Sequence, residues 1–265
     1  MNSMKFGDAT VKIAKITKIT DENYRIKTFE LDTSVNSTPG QFAMLWIPGI
    51  GERPFDIAKN NPLSFTIAKV GEFSEAMHKL KVGESISFRG PFGNPFSIQG
   101  KRIALVGGGY GVVTLYSLAK IALAKKMSVT AVIGARNQKD VIYEKQMKAL
   151  GCEVVVSTDD GSMGFKGNAV QCFEEHNKKH KFDAVYGCGP EMMLYYLAKK
   201  CLELNILCQV SIERYMKCGF GICGSCDMNG KTICIDGPVL DAREALKCEE
   251  FGKSHRGASG KKCEL

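Results

Sequence analysis

Ile103-Ala104-Leu105-Val106-Gly107-Gly108-Gly109-Tyr110-Gly111 runs directly into the apolar segment Val112 to Ala124. On length alone, Ile103 to Ala124 could cross a membrane, because Lys120 is its single charge. The glycines argue against that, since four of them within five residues would break a spanning helix. A short apolar run, a glycine turn and a longer apolar run instead read as strand, turn and helix of a soluble α/β unit. The G-G-G-x-G turn then lies where a nucleotide pyrophosphate rests on a helix N-terminus. It differs from the G-x-G-x-x-G fingerprint, so by itself it is a weak pointer to a nucleotide.

Toward the C-terminus the same rhythm repeats. Strands are expected at Ser128 to Gly134, Glu153 to Ser157 and Ala184 to Tyr186, and helices near Tyr143 to Leu150, Ala169 to His176 and Glu191 to Leu204. Alternation of this length predicts a doubly wound parallel sheet with its ligand at the carboxyl ends of the strands. The last strand runs into Gly187-Cys188-Gly189-Pro190. Histidines 176 and 180, four apart, are either a metal pair or a solvated helix end, and the flanking charges Glu174, Glu175, Lys178 and Lys179 favour the solvated end.

Toward the N-terminus the period falls to two. Val11 and Ile13, Tyr24 and Ile26, Phe29 and Leu31, and Phe42 to Ile47 after Pro39-Gly40 read as short strands between turn residues, which predicts a small antiparallel barrel from Thr10 to about Ile98. Arg53-Pro54-Phe55-Asp56-Ile57 and Gly71-Glu72-Phe73-Ser74 stand out within it, although either alone reads as an ordinary turn. Ser74 is the expected N-cap of a helix to Leu80 whose free N–H groups could hold a phosphate.

Beyond Val210, Cys218, Cys223 and Cys226 stand at the C-x4-C-x2-C spacing of the plant-type [2Fe-2S] loop, and Cys234 follows as a fourth ligand. Gly219, Gly221 and Gly224 allow the backbone to fold tightly around the sulphurs and aim N–H groups at them. A zinc knuckle is the alternative, but only one C-x2-C arm is present where zinc ribbons bring two. From Asp241 the chain is rich in Lys, Glu and Gly; a helix over Arg243 to Cys248 and disorder from Phe251 onward are expected.

The 265 residues, 44% of them hydrophobic, suffice for two compact domains and a small module. Met1 to Asp8 lacks the build of a signal peptide, and the eleven cysteines are therefore expected as reduced thiols in the cytoplasm. The net charge of +8 is spread along the chain, without the basic stripe and stacking aromatics of a nucleic-acid binder.

Barrel, nucleotide sheet and cluster loop, in this order, resemble the ferredoxin-NADP reductase superfamily. Within it the chain resembles the electron-transfer subunits of two-subunit, NAD-linked dihydroorotate dehydrogenases. The likeness runs from about Thr10 to Leu240 through Pro39-Gly40-Gln41-Phe42, Arg53 to Ile57, Gly71 to Ser74, Gly90-Pro91-Phe92-Gly93-Asn94-Pro95-Phe96, Val106 to Gly111, Ser157-Thr158-Asp159-Asp160-Gly161-Ser162, Gly187 to Pro190, Glu213-Arg214-Tyr215-Met216-Lys217-Cys218-Gly219 and Cys234-Ile235-Asp236-Gly237-Pro238-Val239.

The resemblance implies an FAD-binding barrel (1–98), an NAD-binding domain (99–210) and a [2Fe-2S] module with a polar tail (211–265). It implies that Arg53, in the Arg53-Pro54-Phe55-Asp56 motif, pairs with the FAD pyrophosphate, that Phe55 lies against the flavin, and that Gly71 and Ser74 form the second flavin-phosphate turn. Gly107, Gly108, Gly109 and Gly111 would receive the dinucleotide pyrophosphate. Cys188 and Gly189 would present the nicotinamide, with Cys188 near the hydride path, while Asp159 and Asp160 would bind the ribose and favour NADH.

Two features depart from the family pattern. Asp56 stands where Ser or Thr is usual, and a carboxylate there either opposes negative charge on reduced flavin or holds a proton. The segment between Cys226 and Cys234 is short, which predicts a type I′ hairpin at Asn229-Gly230. The implied partner is an FMN-containing catalytic subunit that oxidises dihydroorotate, in a hetero-oligomer of two copies each, away from nucleic acid and membrane. The related flavin subunits of sulphide dehydrogenases and of NADH-dependent ferredoxin-NADP oxidoreductases are the rival, and a zinc-bearing binding module is a rival of another class.

Overall fold

The structure is a computed structural model and describes residues 9–265; the Met1 to Asp8 segment read above for targeting lies outside them. Two compact units emerge. Among the described residues the first comprises 9–95, 214–238 and 256–263, and the second 96–213, 239–255 and 264–265.

The first unit is built on seven antiparallel strands: β1 (Lys12–Asn23), β2 (Ile26–Leu31), β3 (Phe42–Ile47), β4 (Gly51–Asp56), β5 (Lys59–Asn60), β6 (Leu63–Ala68) and β7 (Ser85–Phe92). Their order is β4-β3-β7-β1-β2-β6-β5, and β4 comes back beside β6, so the sheet curls around its own core. Period-two alternation puts Ala14, Ile16, Phe29, Leu31, Leu45, Phe65, Ile67 and Phe88 inside. Val11 and Ile13 mark the start of β1 but belong to its outer parity, with Ile13 73% exposed. Helix α1 (Glu72–Lys79) plugs this core with Phe73 and Met77.

The second unit carries β8 (Arg102–Gly108), α2 (Val112–Ala124), β9 (Ser128–Ala135), α3 (Glu144–Leu150), β10 (Glu153–Thr158), β11 (Phe165–Lys166), α4 (Ala169–His180), β12 (Ala184–Cys188), α5 (Glu191–Glu203) and β13 (Leu207–Ser211). The strand order is β11-β10-β9-β8-β12-β13, all parallel, and the run β8, β9, β10 grows one way while β12 and β13 grow the other. The topological switch point therefore lies between β8 and β12. The nearly unbroken apolar runs of β8 and β9 reflect burial on both faces.

The cluster segment contributes the hairpin β14 (Asp227–Met228) and β15 (Lys231–Thr232) and the short α6 (Ile233–Asp236). Asn229 and Gly230 take φ of 50° and 83°, as a type I′ turn requires. The chain then returns to the second unit, where β16 (Val239–Asp241) pairs antiparallel with β13 and α7 (Ala242–Leu246) packs on α5.

The expectation of disorder from Phe251 is overturned. Phe251 is 1% exposed against Tyr195, with ring centroids 5.8 Å apart, and Gly252 N donates to Glu191 Oε1 at 2.9 Å. One aromatic and its local turn anchor a segment whose composition is otherwise polar. Among the described residues no helix is long and apolar enough to cross a membrane.

Candidate iron-sulphur, flavin and nicotinamide sites

The loop from Cys218 to Cys226 is shaped by three glycines in the left-handed region, with φ of 81° at Gly219, 86° at Gly221 and 68° at Gly224. A Cβ on Gly221 would come within 2.7 Å of Ile235. Glycine is required here both by conformation and by space. The four thiols neighbour one another in two pairs, Cys218 with Cys223 and Cys226 with Cys234, and among the described residues no three of the sulphurs lie mutually within 4.8 Å. Gly221 N donates to Cys234 Sγ at 3.2 Å, and Cys234 N donates to Cys226 Sγ at 3.4 Å. Cys226 and Cys234 are buried, and Cys223 is exposed.

Burial pushes the Cys223 thiol up, but hydrogen bonds from Ser225 and Cys218 outweigh it and hold it at about 6. The Cys234 contact, against burial, holds Cys226 at about 7, and the reciprocal bond together with burial pushes Cys234 well above the ordinary thiol value. Thiolates are thus accessible near neutral pH, and the thiolate is the form that ligates metal. Four thiols in two pairs, with backbone N–H donors on the sulphurs, fit a two-iron centre.

The loop is held to the barrel by a residue that sequence reasoning missed. Arg89 on β7 makes a bidentate pair with Glu52 on β4, at 2.8 and 2.6 Å, and its Nη2 also donates to the Cys218 carbonyl at 3.0 Å. Its guanidinium lies over the rings of Phe92 and Phe220, 5.7 and 5.4 Å from their centroids. The available signal was a charged residue at a strand position followed by the Gly90-Pro91-Phe92-Gly93 turn. Asn94 secures the exit, donating through Nδ2 to the carbonyls of Ile235 and Asp236 at 3.1 and 2.9 Å.

Arg53, Pro54, Phe55 and Asp56 form the end of β4 rather than an ordinary turn, and Asp56 faces Phe42 across the ladder. Arg53 is half-buried; its Nη1 donates to the Glu52 carbonyl at 2.8 Å and its guanidinium lies 4.9 Å over Tyr215, which was quoted in a motif above without a role. Phe55 stacks on Phe73 at 5.6 Å and 29°.

Helix α1 begins two residues before the expected N-cap. Gly71 is its N-cap, and Ser74 sits inside the first turn, where Oγ accepts from the N–H of Val70 and of Gly71 at 2.9 and 3.0 Å. Nothing lies within 4 Å of a Cβ placed on Gly71. The first-turn N–H groups beside it have no intrahelical acceptor, and together with Arg53 they make a donor set that fits a flavin diphosphate.

In the second unit, Gly107 to Gly111 and Gly187 to Pro190 lie at the carboxyl ends of β8 and β12 and meet at the switch point. A Cβ on Gly108 would stand 2.7 Å from Pro190 Cδ, and one on Gly111 would collide with the Cys188 carbonyl. Packing of the two loops thus accounts for Gly108 and Gly111. Gly109, with φ of 54° and open space where a Cβ would be, is the position that lets a ligand approach the backbone. Gly189, with φ of 150°, backs onto Gly108, and Cys188 is buried.

The two acids differ. Asp160 Oδ1 accepts from Ser162 N and Oγ at 2.9 and 2.7 Å, which holds its carboxyl below the usual range; Asp159 is exposed and makes no comparable side-chain bond. Arg136 at the neighbouring strand end is engaged by buried Asp140 at 3.1 Å. The open backbone at Gly109 and the available carboxylate fit a dinucleotide.

A curled antiparallel sheet, a doubly wound nucleotide sheet and a four-cysteine loop define an iron-sulphur reductase of the flavin- and nicotinamide-binding class. The family model of the iron-sulphur cluster binding domain of dihydroorotate dehydrogenase B matches residues 213–246. The chain is 41% identical to the probable dihydroorotate dehydrogenase B (NAD(+)), electron transfer subunit, of Methanocaldococcus jannaschii, over 94% of this chain and 97% of that protein. It is 40% identical to the protein of the same name in Pyrococcus furiosus, over 89% and 92%. The chain belongs to this family of electron transfer subunits.

Among solved structures, that of an NADH-dependent reduced ferredoxin-NADP oxidoreductase aligns with a TM-score of 0.80 at 27% identity, covering 94% of this chain and 95% of that one. The ferredoxin reductase of carbazole 1,9a-dioxygenase aligns at 0.66 and 21% identity, over 74% and 66%, and shows the fold alone.

Proposed function

We propose that this chain exchanges electrons between NAD(H) and a separate catalytic subunit that oxidises dihydroorotate to orotate. The observation that carries the reading is the match of residues 213–246 to the cluster-binding family model, with Cys218, Cys223, Cys226 and Cys234 all inside the matched segment and in the same compact unit as Arg53. Bound FAD and a [2Fe-2S] cluster together supply the conversion between two-electron exchange with NAD(H) and single-electron transfer.

The residues of this chain bind, orient and tune. Arg53 clamps the FAD pyrophosphate, the Gly71 turn offers backbone donors to the diphosphate, and Phe55, backed by Phe73, lines the flavin. The four thiolates hold the cluster, and the N–H of Gly221 and Cys234 withdraw charge from its sulphur ligands. Gly109 admits the NAD pyrophosphate. Asp159 accepts from the ribose hydroxyls and repels a 2′-phosphate, so NADH is preferred over NADPH. Buried Cys188 and Gly189 shape the nicotinamide end. Modules 1–98, 99–210 and 211–265 carry FAD, NAD and cluster binding in turn. The partner is an FMN-containing subunit in a cytoplasmic assembly of two copies each, a compartment in keeping with an odd complement of eleven cysteines.

The decisive experiment pairs purification with a variant. The holoprotein is expected to co-purify with a flavin-containing subunit and, with it, to reduce NAD+ when dihydroorotate is added. Cys223→Ser should preserve reduction of bound FAD by NADH while abolishing onward transfer. Recovery of a large multi-cluster partner in place of the flavin subunit, or equal loss of both activities in Cys223→Ser, would defeat the reading.

A further inference from the structure

The histidines four apart end α4 beside exposed Lys178 and Lys179, and His180 and Glu153 keep 36% and 49% of their side-chain surface in solvent. His176 and His180 lie one turn apart with their rings stacked, centroids 5.7 Å apart and planes 12° from parallel. Glu153, the first residue of β10, joins them: its Oε1 lies 3.8 Å from His180 Nε2, and one ligand atom from each of the three residues falls within 4.8 Å of the other two. The set sits at the amino-terminal end of β10. That is the opposite end of the parallel sheet from Gly107 to Gly111, so these residues take no part in the dinucleotide site.

Three observations show a built arrangement rather than a chance surface cluster. Glu153 is oriented from behind, because its second oxygen accepts from Thr130 Oγ1 at 2.8 Å, and Thr130 is buried on the adjacent strand β9 directly across the ladder. His180 is backed by Phe182 at 6.2 Å and 20°, and Phe182 in turn stacks on Phe173. His176 Nδ1 is enclosed and has no hydrogen-bond partner. An enclosed imidazole nitrogen without a partner is costly in a folded protein and calls for an explanation.

We propose that Glu153, His176 and His180 form a site for one divalent transition-metal cation, matched best by zinc. Two neutral imidazoles and one carboxylate are a borderline ligand set that suits zinc and its neighbours and disfavours magnesium and calcium, which take oxygen. Zinc ligands at about 2.0–2.2 Å in tetrahedral array stand roughly 3.3 Å apart, so the observed spacing closes onto the ion by side-chain adjustment alone, leaving a fourth position for water. The carboxylate held by Thr130 is the outer-shell support such sites use to fix a ligand. Bound metal would staple α4 to β10 across one α/β unit and would stabilise the folded state by mass action.

The test uses the holoprotein with FAD, iron and acid-labile sulphide measured before and after equilibration with zinc chloride at neutral pH. One zinc per chain is expected with iron unchanged, together with a rise in the thermal midpoint. His180→Ala and Glu153→Gln should abolish both responses while keeping the metal-free midpoint, flavin content and flavin reduction by NADH. Thr130→Val should weaken zinc binding by about 10- to 100-fold. Equal zinc uptake by wild type and His180→Ala, or uptake only in exchange for iron, overturns the proposal.

Discussion

Arg53 on β4 and Arg89 on β7 both bond to Glu52 and do different work. Arg89 is committed to structure, because Glu52 takes two of its donors, the Cys218 carbonyl accepts from it as well, and two aromatic rings receive its faces. Arg53 gives one N–H to the Glu52 carbonyl and rests on Tyr215, which orients the fork without consuming it. Arg53→Ala should therefore leave the fold and the cluster intact and weaken FAD retention. A charged hydrogen bond of about 1.5–3 kcal/mol corresponds to roughly 10- to 100-fold. Flavin released on dilution, followed by fluorescence, measures it, and unchanged retention would remove Arg53 from the flavin site.

At the scale of elements, the parallel sheet has a working end and a structural end. At the carboxyl end the two glycine loops interlock, and at the amino end Asp183 ties β8 to the turn before β12. Asp183 Oδ2 accepts from the N–H of Lys101 and Arg102 at 2.7 and 2.9 Å. The bonds from Arg102 and Lys101, in that order, hold its carboxyl below the usual value. A lowered folded-state value means the stabilisation is present above the unfolded carboxyl pKa of about 3.9 and is lost as pH falls through the folded value. Asp183→Asn should lower the thermal midpoint at neutral pH, and the gap from wild type should close progressively below about pH 4. A gap independent of pH would show that the charge is not what matters.

For the whole molecule, the chain order and the spatial grouping part company. Residues 214–238 join the barrel's compact unit, and residues 239–255 return to the nucleotide sheet as β16, α7 and the Phe251 turn. The cluster loop presents Ile222, 75% exposed, next to exposed Cys223. If the cluster loop faces the partner subunit, Ile222 is the apolar side chain at its tip that the partner would cover. Ile222→Asp should leave iron and flavin content unchanged while weakening binding of the catalytic subunit by about tenfold or more, since burying such a side chain contributes about 1.5–3 kcal/mol. Analytical ultracentrifugation or calorimetry of the purified pair would read it, and undiminished affinity would place the interface elsewhere.

The two sheet types, the C-x4-C-x2-C spacing and the hairpin at Asn229-Gly230 were legible in the residues alone, because period, thiol spacing and turn chemistry are local properties of the chain. Tertiary structure alone decided which glycines pack and which one leaves room for a ligand, since Gly108, Gly109 and Gly111 are indistinguishable until β12 brings the Cys188 turn against them. It also decided that Ser74 lies inside the first turn of α1, that Arg89 anchors the cluster loop from 129 residues away, and that Phe251 is core. Each of these depends on contacts between segments remote in the chain, and such contacts leave no periodic trace in composition or spacing.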